Sequence, residues 1–133
     1  MASDVSVQLR AQVAKRAGYR CEYCLIHESQ TAFPHQIDHV LSRKHGGTSS
    51  LLNLAYACVR CNRYKGSDVA AIDPETGEAV RLFNPRRDQW SDHFRLRAAV
   101  LDPITESGRA TIRLLCLNAL ERIAERRLLN WLA

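Results

Sequence analysis

The sequence predicts a small α+β fold in one domain, residues 1–133, with two cysteine pairs closing a short segment of chain between helices. Three observations carry this expectation. The 133 residues are 46% hydrophobic and 25% charged, enough for one modest core and ordinary for a globular protein. Apolar residues recur at helical spacing near both ends, whereas the stretch between them holds short extended runs and turn residues. Cys21 and Cys24 in "CEYC" and Cys58 and Cys61 in "CVRC" bracket the 33 residues 25–57.

Taken in order, "SVQLRAQVAKRAG" predicts a helix, with Ser6 as N-cap, Leu9, Val13 and Ala17 on one face, and Gly18 as the stop. It delivers the chain into the first cysteine pair. "FPHQIDHVL" predicts a short extended run entered at Pro34, and "SRKHGGTSS" a basic loop. Beyond it, Ser50 caps a helical turn through "LLNLAYAC", or Leu54 to Ala57 forms a second short strand. Both readings stand on the sequence. "VRCNRYKG" predicts a short helix ending at Gly66. "DPETG" between "VAAI" and "EAVRLF" predicts a hairpin, and "NPRRDQWSDHF" a turn into an aromatic segment with Trp90 and Phe94 at helical spacing. "LDPITESG" reads as another turn. "RATIRLLCLNALERIAERRLLNWL" reads as largely helical, with Leu120, Ile123, Ala124, Arg127 and Trp131 spaced by threes and fours and Cys116 as a buried free thiol. Residues 68–133 carry no chemical motif and are expected to brace residues 20–67.

Net charge is +5, unevenly spread. Residues 1–66 carry nine Lys/Arg against four Asp/Glu, and residues 67–133 carry ten of each. The basic half therefore holds the cysteine-bounded segment and suits a polyanionic partner. The opening "MASDVSVQLR" lacks the apolar run of a secretory signal, and no stretch approaches the roughly 20 apolar residues of a membrane helix. A cytoplasmic location is expected. There, paired cysteines favour a metal over disulfides, and two Cys-x-x-Cys knuckles offer the four thiolates of a structural Zn2+. Such a site lowers the formal charge by two and leaves the chain basic.

Between the knuckles stand Asp38-His39, Asn53 and Asn62. Asp38 offers a hard oxygen to a cation such as Mg2+ or Mn2+, and Asn62 a neutral amide oxygen at the start of a helix. His39 has an imidazole suited to accept a proton from water. These are the parts of metal-assisted phosphodiester hydrolysis. His27, His35, His45 and His93 read as surface or packing residues.

The string "CEYC…IDHVLSRKHGGTSSLLNLAYACVRCNRYKG" resembles the HNH endonuclease family in its zinc-containing form, over about Arg20 to Ser67. The resemblance implies a ββα-metal (His-Me finger) core, in which a hairpin and a helix grip one divalent cation. It implies His39 as general base, Asp38 and Asn62 as ligands of the catalytic metal, and Asn53 as the residue that steadies the hairpin loop and orients the base. Cys21, Cys24, Cys58 and Cys61 match the zinc pairs. The tail "LFNPRRDQWSDHF…GRATIRLLCLN" resembles, more loosely, one found after the motif in small bacterial HNH proteins.

The expected partner is therefore DNA, taken as double-stranded and contacted mainly through its backbone by Arg43, Lys44, Arg60, Arg63 and Lys65; phosphate contacts position a protein without reading bases. Competing readings are a zinc-stabilised nucleic-acid-binding module without catalysis and a nuclease subunit of a phage packaging or defence complex. Adjacent strand residues point to opposite faces, so Asp38 and His39 share one metal only if the strand ends or bulges there. Otherwise they flank a phosphate.

Overall fold

A computed structural model describes residues 5–129. It is a mixed α+β structure built from three two-stranded antiparallel sheets and short helices. Helix α1 (Val7–Arg16) starts where Ser6 Oγ accepts from Leu9 N at 3.1 Å, and the chain turns away at Gly18, whose φ is +63°. Its apolar stripe buries Val13 and Ala14 against Leu54 and Tyr56, with Leu9, Ala17 and Ile37 at the margin. Arg16 reinforces the contact by donating to the carbonyl of Leu51 at 2.6 Å and to that of Leu54.

Strands β1 (Gln36–His39) and β2 (Leu54–Ala57) pair antiparallel in regular register, Gln36 opposite Ala57 and His39 opposite Leu54. Residues 51–53 form a turn, with Asn53 N donating to the Ser50 carbonyl at 2.9 Å, and Leu54–Ala57 is the strand, every residue of it buried. Helix α2 (Val59–Lys65) follows directly, with Cys58 as its N-cap.

The second half adds hairpin β3 (Ala70–Ile72) and β4 (Ala79–Arg81) around the "DPETG" turn, then the short helix α3 (Trp90–His93). The supposed turn "LDPITESG" divides differently. Its first residues belong to β6 (Val100–Pro103), which pairs with β5 (Phe94–Arg97), and Thr105 caps helix α4 (Glu106–Leu114) through a 3.0 Å bond from Gly108 N. Gly108 is required here, because a Cβ would come within 2.3 Å of the His93 carbonyl oxygen.

The long C-terminal helix expected from the sequence is two. Cys116 adopts φ +52° and separates α4 from α5 (Leu120–Leu129). It is half-buried in that turn and not a core thiol. The expected apolar face of α5 is also displaced. Leu120 is 82% exposed, while Arg122 and Arg126 are the buried residues. Trp131 lies outside the described residues.

The main core joins both halves. Cys21, Tyr23, Cys24, Ile26, Ala57, Cys58 and Cys61 form one cluster with Phe83, Phe94, Leu101, Leu115 and Leu117. Polar ties follow the same seam: Trp90 Nε1 donates to the Tyr23 carbonyl at 2.9 Å, and Arg86 pairs with Glu22. Among the described residues, no helix is long and apolar enough to cross a membrane.

Candidate metal centre and active site

Two tight turns bring the four knuckle cysteines together. Within each pair the second residue's N–H donates to the first sulfur at 3.4 Å, Cys24 to Cys21 and Cys61 to Cys58. All four sulfurs lie within 4.8 Å of one another, and all four residues are buried. Cys24 Sγ and Cys58 Sγ are 3.7 Å apart. A tetrahedron with Zn–S bonds of ~2.3 Å has S···S edges of about 3.8 Å, so the cluster has the dimensions of a structural zinc site. Burial pushes the Cys21 and Cys61 thiols up, whereas hydrogen bonds from neighbouring cysteines hold Cys24 and Cys58 down. Four thiolates share so small a buried space only with a cation among them.

Helix α2 docks on the hairpin through polar groups. Asp38 is 3% exposed and points toward α2, where its Oδ2 accepts from Tyr23 Oη at 2.5 Å and its Oδ1 from Lys65 Nζ at 3.2 Å. Lys65 is 2% exposed and also donates to the His39 and Val40 carbonyls. Burial raises the Asp38 pKa, opposed by the Lys65 charge and by the bond from Tyr23. Two residues back on the same strand face, Gln36 Oε1 accepts from Asn62 Nδ2 at 2.7 Å. Asp38 and Asn62 therefore both belong to the α2 side of the hairpin.

His39 closes the strand on the other side. Its Nε2 lies 2.9 Å from Ser49 Oγ, a partner that the sequence did not single out. The loop between them is held by Asn53, whose Nδ2 donates to the Leu41 and Thr48 carbonyls at 2.9 and 2.8 Å and whose Oδ1 accepts from Leu41 N at 2.9 Å. Only glycine fits at position 47, since a Cβ would sit 1.7 Å from the Leu41 carbonyl oxygen and 2.8 Å from Asn53 Nδ2. The density of small and amide residues in "GGTSSLLN" thus has a mechanical cause: the loop folds back on itself around one asparagine.

A family model described as HNH endonuclease matches residues 21–68, from the first knuckle cysteine to the end of the hairpin–helix unit. The chain carries an HNH endonuclease domain. Comparison with curated proteins and with solved structures returns no match. A match to this family over residues 21–68 suggests a nuclease acting on nucleic acid.

The cations of the HNH domain divide into two groups. Arg43 and Lys44 are exposed on a short turn before the Gly-Gly pair, and Arg60 and Arg63 are exposed on α2. Arg60 is 3.7 Å from Glu125 of α5. Arg60 and Arg63 border a cavity of about 330 Å³ that reaches Cys24 and Cys58 and is also lined by Phe33 and Arg122. Lys65 differs. Its ammonium is enclosed by Asp38 and two carbonyls, so its expected place on a DNA phosphate is corrected to a buried tie between α2 and β1.

Three of the remaining histidines do structural work, and His45 is exposed. His35 is buried with Nε2 2.9 Å from the Ile26 carbonyl, His27 caps the turn after the first knuckle, and His93 packs on Phe83 and Phe94. Two residues beside these sites were not singled out from the sequence. Arg122 Nη2 lies 3.2 Å from Cys61 Sγ and 3.9 Å from Cys58 Sγ, and Tyr23 sits inside the first knuckle with its hydroxyl on Asp38. The tyrosine was visible within "CEYC"; an arginine 61 positions beyond its cysteine partner had no local signal.

Proposed function

We propose that this HNH protein is a metal-dependent endonuclease that hydrolyses phosphodiester bonds in DNA, with β1, β2 and α2 forming a ββα-metal core and Cys21, Cys24, Cys58 and Cys61 holding a structural Zn2+. The observation that carries the reading is the hairpin–helix unit inside the matched segment. It has a carboxylate and an amide on its α2 side, an imidazole at the strand end, and a clamped loop beside that imidazole.

In this reading His39 is the general base. The tautomer that donates Nε2–H to Ser49 Oγ, 2.9 Å away, would leave Nδ1 with a lone pair for the proton of the attacking water. Asn53 keeps the Leu41–Thr48 loop, and hence Ser49, in register with the strand end. Asp38 and Asn62 are the residues that would hold the divalent cation. Their oxygens fit it in kind. The Asp38 carboxylate has acceptor sites beyond the two taken by Tyr23 and Lys65, and Asn62 turns its amide nitrogen to Gln36, leaving its oxygen for a ligand. When bound, Mg2+ or Mn2+ supplies Lewis-acid stabilisation of charge at the phosphate and the departing oxygen. Because Asp38 is shared with an ammonium, the pair would hold a cation weakly in the absence of substrate. Exposed Arg43, Lys44, Arg60 and Arg63 would meet the DNA backbone.

Plasmid cleavage with added Mg2+ or Mn2+ tests this. His39→Ala removes the base and leaves zinc, hairpin and basic surface in place. The rate is expected to fall ~10²–10⁴-fold with DNA affinity nearly unchanged. A His39→Ala protein that cuts at the wild-type rate, once contaminating nuclease is excluded, overturns the assignment. Wild-type protein that binds DNA but never cuts it points to the non-catalytic binding module.

A further inference from the structure

Helix α5, in the C-terminal segment that the family model leaves unmatched, lies against the cysteine cluster. Arg122, on the first turn of α5, is 4% exposed and directs Nη2 at Cys61 Sγ, 3.2 Å away, with Cys58 Sγ at 3.9 Å. Its Nη1 donates to the Leu115 carbonyl at 2.8 Å, at the end of α4. One turn later Arg126, equally buried, donates only to carbonyls, that of Ala99 at 3.1 Å and that of Leu117. Two arginines of one helix thus sit in the same core, and one of them faces sulfur.

We propose that Arg122 is part of the metal centre, a charge-compensating donor to the Cys58 and Cys61 thiolates. Zn2+ with four thiolates carries a net charge of −2, which is costly to bury without a nearby cation. Among the described residues Arg122 is the one guanidinium placed on the sulfurs, and its N–H groups direct the thiolate lone pairs as outer-shell donors do in other metal sites. It also lines the cavity that reaches Cys24 and Cys58, the solvent route by which a chelator meets the metal. Its loss therefore both weakens the thiolates' grip and opens the way to them. This inference rests on the zinc reading and not on cleavage.

The test uses the full chain loaded with zinc and measures transfer of the metal to a chromophoric chelator, together with site-resolved alkylation of cysteines by mass spectrometry. Arg122→Met keeps the bulk of the side chain and removes charge and donors. It is expected to release zinc about 10–100-fold faster, with Cys58 and Cys61 alkylated sooner than in wild type. Arg126→Met, which disturbs the same helix without touching sulfur, is expected to release zinc close to the wild-type rate. Folded Arg122→Met that holds zinc as wild type does, or Arg126→Met that releases it just as fast, overturns the proposal. Should Arg122→Met fail to fold, the wild-type protein serves: the Arg122 guanidinium ¹H–¹⁵N resonances are expected to shift when Cd2+ replaces Zn2+, and resonances indifferent to that exchange overturn it. Folded protein that binds no zinc removes the zinc reading as well, independently of any cleavage result.

Discussion

A buried ammonium and a buried carboxylate hold α2 to β1. Lys65 and Asp38 are each almost fully enclosed, and Lys65 spreads its three protons over Asp38 Oδ1 and the carbonyls of His39 and Val40. Removing one member of such a pair leaves the other charge uncompensated in the core. Lys65→Met is therefore expected to cost about 3–5 kcal/mol of folding stability, measured by denaturant titration with zinc present. Lys44→Ala, an exposed change, is expected to leave the midpoint nearly unmoved. A Lys65→Met midpoint equal to wild type would mean that the ammonium is not buried as described. In the sequence these lysines are both members of a basic string, and so are Arg63 and Lys65, two positions apart. On a helix two positions are about 200° of rotation, so one of them faces the hairpin and the other faces water. Which is which depends on where the hairpin docks, and that is decided by tertiary packing. The residue types of the candidate site were legible for this reason, while the burial of Lys65 and the part played by Ser49 were not.

At the scale of elements, Asp73 fastens the β3–β4 hairpin to α4. Its carboxylate accepts from Arg109 Nε at 2.9 Å and Nη2 at 2.8 Å, and it also organises its own turn through Glu75 N and Thr76 Oγ1. The Arg109 guanidinium holds this carboxyl well below the ordinary carboxylate range. An acid whose folded pKa is depressed contributes stability that is fully present above its unfolded value, roughly 3.9, and lost as pH falls toward the folded one. Asp73→Asn should thus lower the thermal midpoint at neutral pH and flatten its decline below about pH 4, a window set by the unfolded reference. Midpoints recorded against pH for both proteins give the difference, in which acid effects on the shared zinc site cancel. Parallel curves would show that Asp73 and Arg109 are not coupled. The "DPETG" hairpin was readable because Pro, Asp and Gly mark the turn locally. The division into α4 and α5 was not. Cys116 turns at φ +52° in a run whose composition favours helix throughout, and the buried positions of α5 are two arginines satisfied by carbonyls and sulfurs. Apolar periodicity cannot mark a face whose contacts are ionic and hydrogen-bonded.

For the whole molecule, the cysteine cluster lies inside the main core and not at one edge of it. Its walls include Phe83, Phe94, Leu101, Leu115 and Leu117 from the second half, besides the knuckles themselves. Zinc binding in small domains contributes roughly 10–16 kcal/mol, against about 5–15 kcal/mol of total stability for an ordinary domain. Without the metal, buried thiols must take up protons or separate, and the apolar side chains packed on them lose their positions. Unfolding should therefore reach well beyond residues 21–68. Trp90 reports this, because it stands outside the HNH segment, packs on Phe94 at 5.1 Å between ring centroids and donates its indole N–H to the Tyr23 carbonyl. Stripping zinc with a strong chelator is expected to abolish the near-ultraviolet dichroism of Trp90 in one transition with the loss of helical signal, and Cys58→Ser is expected to give protein in that state from the outset. Readdition of Zn2+ to the stripped wild-type chain should restore both signals together. If Trp90 keeps its native signal after the metal has gone, the second half folds on its own, and the coupling between the two halves through the cysteine cluster is wrong.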